Sequence, residues 1–211
     1  MSLDFLAVAA PDAVARSPME RQAAAAGARF EVRDGWNVAV AYEGEDRAAG
    51  GFADLSHLRK LELHGDPGVT LAPGLAIRVD GAWWCPLTPQ RTLVIGAGAE
   101  VGERAGAARV IDVTCCHGAL VLCGPHARET FARFTAIDVR ERSLPVGGVR
   151  PGSVARTPGL VLREGDERFL MLFGWALGEY MWTTVEDAAR PLGAGPLGVD
   201  ALVAAEALRD A

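Results

Sequence analysis

Hydrophobic and polar residues alternate along several short stretches of this chain, a period of two that is typical of strands with one buried face. Alternation runs through residues 30–32 and 36–42, on the two sides of Asp34-Gly35, a dipeptide typical of tight hairpin turns. The segment LRKLELHG, residues 58–65, alternates as well. These stretches therefore predict three strands, the first two of them joined in a hairpin.

Six further apolar runs predict additional strands. Asp80-Gly81 and Gly165-Asp166 indicate hairpin turns within or between them, whereas Pro86 and Pro89 indicate edges that cannot complete a hydrogen-bond ladder. The runs are IRVDGAWWCPL (77–87), RTLVIG (91–96), VIDVT (110–114), ALVLCG (119–124), GLVLRE (159–164) and ERFLMLF (167–173).

A helix is indicated near the start of the chain by a capping box. Ser17 is the predicted N-cap, Pro18 fits the first helical turn, and Glu20 follows three residues after the serine. The helix is expected to run to about Ala26, because Gly27 is a typical C-terminal stop.

Three more segments carry helical periodicity. Gly124-Pro125 introduces a helix in which Ala127, Phe131 and Phe134 share one face. Residues 177–188 form an amphipathic pattern, and residues 201–211 form a last one. Helices interspersed with antiparallel runs predict an α+β fold, with helices packed against antiparallel sheets, in a single domain over residues 1–211.

Composition and charge limit the expected partners and location of the protein. The chain has 27 acidic and 21 basic side chains, a formal charge of −6, and no run of basic residues, so nucleic acid is not an expected partner. Its apolar stretches are far shorter than the roughly 20 residues of a membrane span. Asp4 stands where a secretory signal carries positive charge, which favours a cytoplasmic location. The four cysteines are expected to be reduced thiols.

Cysteine and histidine residues are concentrated between positions 115 and 126. Zinc sites pair ligands two to four residues apart, and Cys123-x-x-His126 alone has that spacing, while neighbouring Cys115 and Cys116 would point to opposite sides of a strand. We therefore expect no metal and small buried thiols. A nucleophilic pair such as Cys116 with His57 stays an alternative. Residues 96–99, GAGA, predict a flexible connection rather than a phosphate loop.

Four sequence blocks occur in the order found in one known family. The blocks are SPMERQAAAAGARFEV; GGFADLSHLRKLELHG; VIDVTCCHGALVLCGPHAR; and SVART with EGDERFLMLF, EYMWTTVEDA and PLGVDAL. On these blocks the chain resembles the aminomethyltransferase (glycine-cleavage T-protein) superfamily. Its small size and the PLTPQRTLVI run before VIDVT make it look most like the gamma subunit of heterotetrameric sarcosine oxidase or a stand-alone relative.

The resemblance implies a reduced folate in a central cavity and an aspartate, in a Gly-Gly-x-x-Asp-Asp type loop, that handles protons during one-carbon transfer. No such loop occurs between His64 and Asp112. The family's Gly-Tyr-Thr-Gly-Glu after Arg-Thr is replaced by Pro158-Gly159-Leu160, which removes the glutamate that binds the pterin edge. The family's C-terminal barrel domain is also missing from this sequence.

The resemblance nevertheless implies a set of candidate cofactor-binding residues. Asp54, Ser56, His57 and Leu58 match the block that runs beside the folate cavity; the alternative, which we favour, is that Asp54 and Ser56 satisfy backbone groups at a strand start. Arg156 precedes the altered pterin motif, and Glu164 or Glu167 would replace its glutamate. The candidate cavity carboxylates are Asp54, Asp112 and Glu164, and no catalytic residue is assigned.

The sequence thus predicts an accessory, non-catalytic T-protein-like subunit of a sarcosine-type amine-oxidising system. Its expected partners are flavin-containing amine oxidase subunits or a second copy of itself, with no membrane. The alternative is a minimal folate-dependent aminomethyltransferase with tetrahydrofolate as cofactor, in which two copies replace the missing domain.

Overall fold

A computed structural model of the chain describes residues 13–46, 48–96, 98, 101 and 108–202. Within them the strands form three sheets. The smallest has the order β1-β3-β2, made of β1 (Ala15–Arg16), β2 (Ala28–Arg33) and β3 (Trp36–Tyr42). Asp34 and Gly35 join β2 to β3 with φ of 49° and 77°, the two positive values of a type I′ turn. The Asp34-Gly35 hairpin prediction is confirmed.

The largest sheet has six strands in the order β11-β12-β13-β10-β4-β14, antiparallel except where β14 runs parallel to β4. These strands are β4 (Gly51–Asp54), β10 (His117–Cys123), β11 (Val149–Val154), β12 (Thr157–Gly165), β13 (Arg168–Gly174) and β14 (Gly195–Pro196).

The hairpin between β12 and β13 differs from the prediction by one residue. Its turn is Asp166-Glu167 rather than Gly165-Asp166. The pairing register shifts between Arg163 and Gly165, so the strand accommodates an extra residue before the turn. Such a bulge leaves no trace in the alternation of apolar residues.

The third sheet has five strands in the order β6-β7-β8-β5-β9, all antiparallel. Asp80 and Gly81 form a second turn with two positive φ values, which confirms that hairpin. Pro86 lies at a register shift of its strand, where a missing N–H is tolerated. The strands are β5 (Lys60–His64), β6 (Ile77–Val79), β7 (Ala82–Thr88), β8 (Arg91–Ile95) and β9 (Arg109–Asp112).

One pair of chain segments belongs to both large sheets. β4 and β10 pair in the six-stranded sheet, and their continuations β5 and β9 pair in the five-stranded sheet. The chain therefore crosses between the sheets twice, through residues 55–59 and 113–116. We call these two crossings the sheet junction.

Three α-helices are described: α1 (Glu20–Ala25), α2 (Ala127–Ala132) and α3 (Gly178–Ala189). The predicted capping box at the start of α1 is wrong, because the helix begins at Glu20. The Ser17 hydroxyl accepts the Met19 N–H at 3.1 Å and donates to the Asp54 carboxylate, a charged acceptor that a helix end does not offer. The Glu20 carboxylate accepts from Arg16 instead. The helix expected over residues 201–211 lies almost entirely outside the described residues.

The six-stranded sheet is buried on both faces. Leu120 and Leu122 of β10 pack in a core with the helices, where Phe52 meets Trp182 at a ring-centre distance of 5.0 Å. Ala119 and Val121 pack in a second core shared with the five-stranded sheet. Helices on antiparallel sheets confirm the α+β prediction. No described helix has the length and hydropathy needed to cross a bilayer.

Candidate ligand clefts at the sheet junction

Asp54 ends β4 at the sheet junction and its carboxylate is buried. One carboxylate oxygen accepts the Ser56 N–H at 2.9 Å, and the other accepts the Ser17 hydroxyl. Burial raises the pKa of Asp54, against the opposing effects of the Ser17 and Ser56 hydrogen bonds and of the Lys60 charge. This carboxylate organises the turn that follows the strand.

Ser56 continues the ladder between β4 and β10 with its side chain. Its hydroxyl accepts the Ala119 N–H at 3.1 Å, while the Leu55 N–H donates to the Ala119 carbonyl at 2.9 Å. Asp54 and Ser56 thus satisfy backbone groups, as the favoured alternative predicted, although they do so at a strand end rather than a strand start.

Lys60 is the one lysine in the sequence, and its side chain is wholly buried. Its ammonium donates to the carbonyls of Ser56 at 2.9 Å and Leu58 at 2.8 Å, which fastens the first crossing of the junction. Burial lowers the pKa of Lys60 to about 8, although the charge of Asp54 opposes the change. The sequence pattern missed this residue, because Lys60 alternates in register with exposed His64 and gives no signal of burial.

The lowered pKa of Lys60 makes stability depend on alkaline pH. Because the unfolded chain holds the proton up to its ordinary pKa of 10.5 and the folded chain only to about 8, stability should rise between these pH values. The expected gain is about 3 kcal/mol relative to a Lys60→Met variant, whose residue 60 cannot titrate. Urea unfolding of both proteins across this window measures it. NMR of isotope-labelled lysine reads the pKa of this one side chain directly; a value near the ordinary one would contradict the prediction.

Two clefts open beside the junction and share His57, Leu58 and Gly96. The first, of about 790 Å³, is lined also by Trp36, Asp112 and Cys115, and we call it the Cys115 cleft. The second, of about 550 Å³, we call the Glu164 cleft; besides Glu164 it is lined by Arg33, Arg78, Trp83 and Arg168, among others. Both volumes are typical of small-molecule sites.

His57 lies where the two clefts meet. Burial lowers its pKa to about 4, and the nearby charges of Lys60 and Arg33 act in the same direction. The imidazole is therefore neutral at pH 7 and offers one donor and one acceptor to a ligand. Within the predicted block Asp54 to Leu58, His57 and Leu58 thus line the clefts, while Asp54 and Ser56 support the turn that carries them.

Glu164 and Arg156 lie far apart. They occupy opposite ends of β12, about 25 Å from each other at the rise of an extended strand. Glu164 accepts from Arg168 at 2.8 Å within its cleft, and both side chains are largely buried. Arg156 is exposed in the turn before β12, with a φ of 62°. The structure therefore does not bring Arg156 to the clefts.

The cysteines only partly follow the sequence prediction. Cys85 is buried, and burial raises its pKa to about 12. Cys115 and Cys116 are exposed, because they lie in a short 3-10 turn, Thr114–Cys116, and not in a strand. Cys123 is half-buried, and His126 immediately precedes α2. Among the described residues, no three His, Cys, Asp or Glu side chains converge as a metal site. Of the GAGA segment, Ala97 and Ala99 lie outside the described residues.

The arrangement of the three sheets and their helices is similar to that of two solved structures. The aminomethyltransferase T of the glycine cleavage system from Bartonella henselae is similar with a TM-score of 0.71 and 19% identity; the match covers 89% of this chain and 60% of that one. The fold implied by the sequence blocks is thereby confirmed.

A second similar structure is a chain of heterotetrameric sarcosine oxidase from Corynebacterium sp. U-96, in complex with pyrrole 2-carboxylate. Its TM-score is 0.65 at 20% identity, and the match covers 85% of this chain and 97% of that chain. No protein-family model matches the sequence, and no curated protein matches it.

Proposed function

We propose that this protein is an accessory, non-catalytic subunit of a sarcosine-type amine-oxidising system. The observation that carries the proposal is the similarity to a chain of heterotetrameric sarcosine oxidase, which extends over 97% of that chain. The aminomethyltransferase, by contrast, is matched over 60% of its length. A flavin-containing amine oxidase subunit is the proposed partner, and a second copy of this chain is the alternative.

The hydrogen bonds and the ion pair that hold the candidate carboxylates support a non-catalytic role. Asp54 is buried and bonded to Ser17 and Ser56, and it lines neither the Cys115 cleft nor the Glu164 cleft. Glu164 is paired with Arg168. A general base must reach the proton that it removes. Neither side chain is placed to handle a proton without first giving up the partners that hold it.

The residues of the Glu164 cleft do not fit the pterin of a folate. The cleft has the volume for such a ring, and Trp83 offers an aromatic wall. However, Glu164, which would replace the missing pterin-binding glutamate, accepts from Arg168, and its cleft also contains Arg33 and Arg78. The guanidinium groups of Arg33, Arg78 and Arg168 are donors only, so the N–H edge of a pterin would meet three donors and one carboxylate that Arg168 already engages. We therefore derive no step that uses folate.

One observation favours the alternative of a minimal folate-dependent transferase. Asp112 lines the Cys115 cleft, and its side chain is half exposed. It accepts the Thr114 N–H at 2.9 Å and contacts Arg59 only at 3.5 Å, so one of its oxygens is open to a ligand. Under this alternative, Asp112 would be the group that transfers protons.

Calorimetric titration separates the two functions. We expect no saturable binding when the reduced protein is titrated with tetrahydrofolate or 5-formyltetrahydrofolate. Under the transferase alternative, binding would be saturable with a defined stoichiometry, and Asp112→Asn would abolish one-carbon transfer while leaving binding intact. Glu179→Gln, an exposed change on α3, is the matched control.

A second measurement tests the partner. The tagged protein, purified from its own source, should carry a flavin absorbance in constant ratio to the chain and oxidise sarcosine with release of hydrogen peroxide. Purification of the chain alone, together with saturable folate binding, would contradict the accessory role.

A further inference from the structure

Two thiols stand side by side at the sheet junction, in the turn Thr114–Cys116. Cys115 and Cys116 are both exposed, whereas Cys85 is buried and Cys123 half-buried. Neighbouring Cα atoms are about 3.8 Å apart, less than the about 4.4 to 6.8 Å of most disulfides. A bond between these two residues would therefore close a strained ring, and strained disulfides are the easily reduced ones.

The residues before the two cysteines are tied to β5: the Thr114 hydroxyl accepts the Lys60 N–H at 3.0 Å, and the Val113 N–H donates to the Lys60 carbonyl at 2.9 Å. The Cys116 N–H donates to the Val113 carbonyl at 2.9 Å, and the Thr114 N–H donates to Asp112. Ladder pairing of β10 begins only at His117. These bonds hold the residues before the pair and the ladder holds those after it, so the dihedral angles of Cys115 and Cys116 can change to bring the sulfur atoms together without breaking a strand.

We propose that Cys115 and Cys116 form a reversible redox-modification site, at which hydrogen peroxide converts the two thiols into a disulfide. One sulfur attacks a peroxide oxygen, which breaks the O–O bond and gives a sulfenic acid and one water. The neighbouring thiol then displaces the hydroxyl group as a second water, and the S–S bond forms. Two electrons pass from the sulfurs to the peroxide, and both thiol protons leave in the water molecules.

The position of the pair is suited to a small oxidant. Cys115 lines the Cys115 cleft, whose volume of about 790 Å³ admits peroxide easily. The source of the peroxide rests on the proposed function, since a flavin amine oxidase reduces oxygen to hydrogen peroxide. The chemistry of the thiol pair itself does not depend on that partner.

The test uses the isolated full chain, reduced and then exposed to added peroxide. We expect two of the four thiols to be lost, with a disulfide inside the one peptide that contains both cysteines, and full recovery with a dithiol reductant. Closure should be at least about tenfold faster than any oxidation of Cys123, which is less exposed. Peptide mass mapping distinguishes these products.

Single variants separate the two steps. Cys115→Ser and Cys116→Ser should each stop at a sulfenic acid that dimedone traps on the remaining sulfur, while the control Cys123→Ser closes like the unchanged protein. The proposal is overturned if the mapped peptide stays reduced, if each sulfur oxidises separately to sulfinic acid, or if the disulfide joins two chains. Mapping of the unchanged protein decides the matter even if a variant fails to fold. Closure without any flavin partner would uphold this site and leave the proposed function to its own tests.

Discussion

Replacement of Asp54 by Ala should lower the free energy of unfolding by about 4 kcal/mol. The Ser56 N–H and the Ser17 hydroxyl would each lose a buried acceptor, and an unsatisfied buried donor costs about 1 to 3 kcal/mol. The buried charge of Lys60 would also lose a nearby negative charge that stabilises it. Urea denaturation at neutral pH measures the difference.

Asp54→Asn is the matched control, because its amide oxygen can still accept the Ser56 N–H. Its pH dependence has a defined sign. The pKa of Asp54 is raised from 3.8 in the folded state, so the folded chain binds the proton more tightly, and this contribution to stability is lost as pH rises through that window. The asparagine variant should therefore gain stability relative to the unchanged protein as the pH rises above the ordinary carboxyl pKa of 3.8. An Asp54→Ala protein of undiminished stability would show that this carboxylate is not structural.

Replacement of Gly198 by Ala should cost at least about 3 kcal/mol. A Cβ at residue 198 would lie 2.0 Å from the carbonyl oxygen of Val40 in β3, and no rotamer change can move a backbone atom out of its way. The Gly198 N–H also donates to the Glu45 carboxylate at 3.0 Å, so the backbone at residue 198 cannot move away from β3 without breaking this bond. Thermal and urea unfolding should both report the loss.

Gly195 provides the matched control for this change. A Cβ at Gly195 meets nothing within 4 Å, and its φ is not in the left-handed region. Gly195→Ala should leave stability unchanged or raise it by a few tenths of a kcal/mol, because alanine lowers the entropy of the unfolded chain. Equal stability of the two variants would mean that residue 198 does not approach β3 as closely as described.

Features encoded in neighbouring residues could be predicted from the sequence. Asp34-Gly35 and Asp80-Gly81 both turn the chain with positive φ, a conformation that these residue types tolerate. The alternating runs became strands because one face of each is buried. The helix near Met181 formed where its apolar positions recur at helical spacing.

Features set by distant partners could not be predicted. Ser17 lies in a sequence typical of a helix cap, but its hydroxyl donates to Asp54, which is 37 residues away in the sequence. Lys60 is in register with exposed His64 and is nevertheless wholly buried, because carbonyl groups of the preceding turn accept its hydrogen bonds in place of water. Cys115 and Cys116 were expected in a strand, but the crossing between sheets places them in an exposed turn. In each case a tertiary contact overrides the local pattern.

The residues of the clefts could likewise be predicted only in part, because distant contacts also determine them. The block Asp54 to Leu58 lies beside the clefts, since His57 and Leu58 line both. Glu164 lines one cleft, yet its pairing with Arg168 is a matter of strand register that the sequence does not display. Arg156 was predicted from its sequence motif, but the length of β12 places it far from the Glu164 cleft.

The sheet junction has a consequence for how the protein opens. The same two chain segments pair in both sheets, as β4 with β10 in one and as β5 with β9 in the other. Separation of β4 from β10 would therefore also strain the pairing of β5 with β9, so the two sheets cannot open independently. Amide hydrogens of both sheets should therefore exchange with solvent through a common, rare opening rather than in two independent events. A disulfide in the turn before β10 would act at the sheet junction, where a small local change reaches both sheets at once.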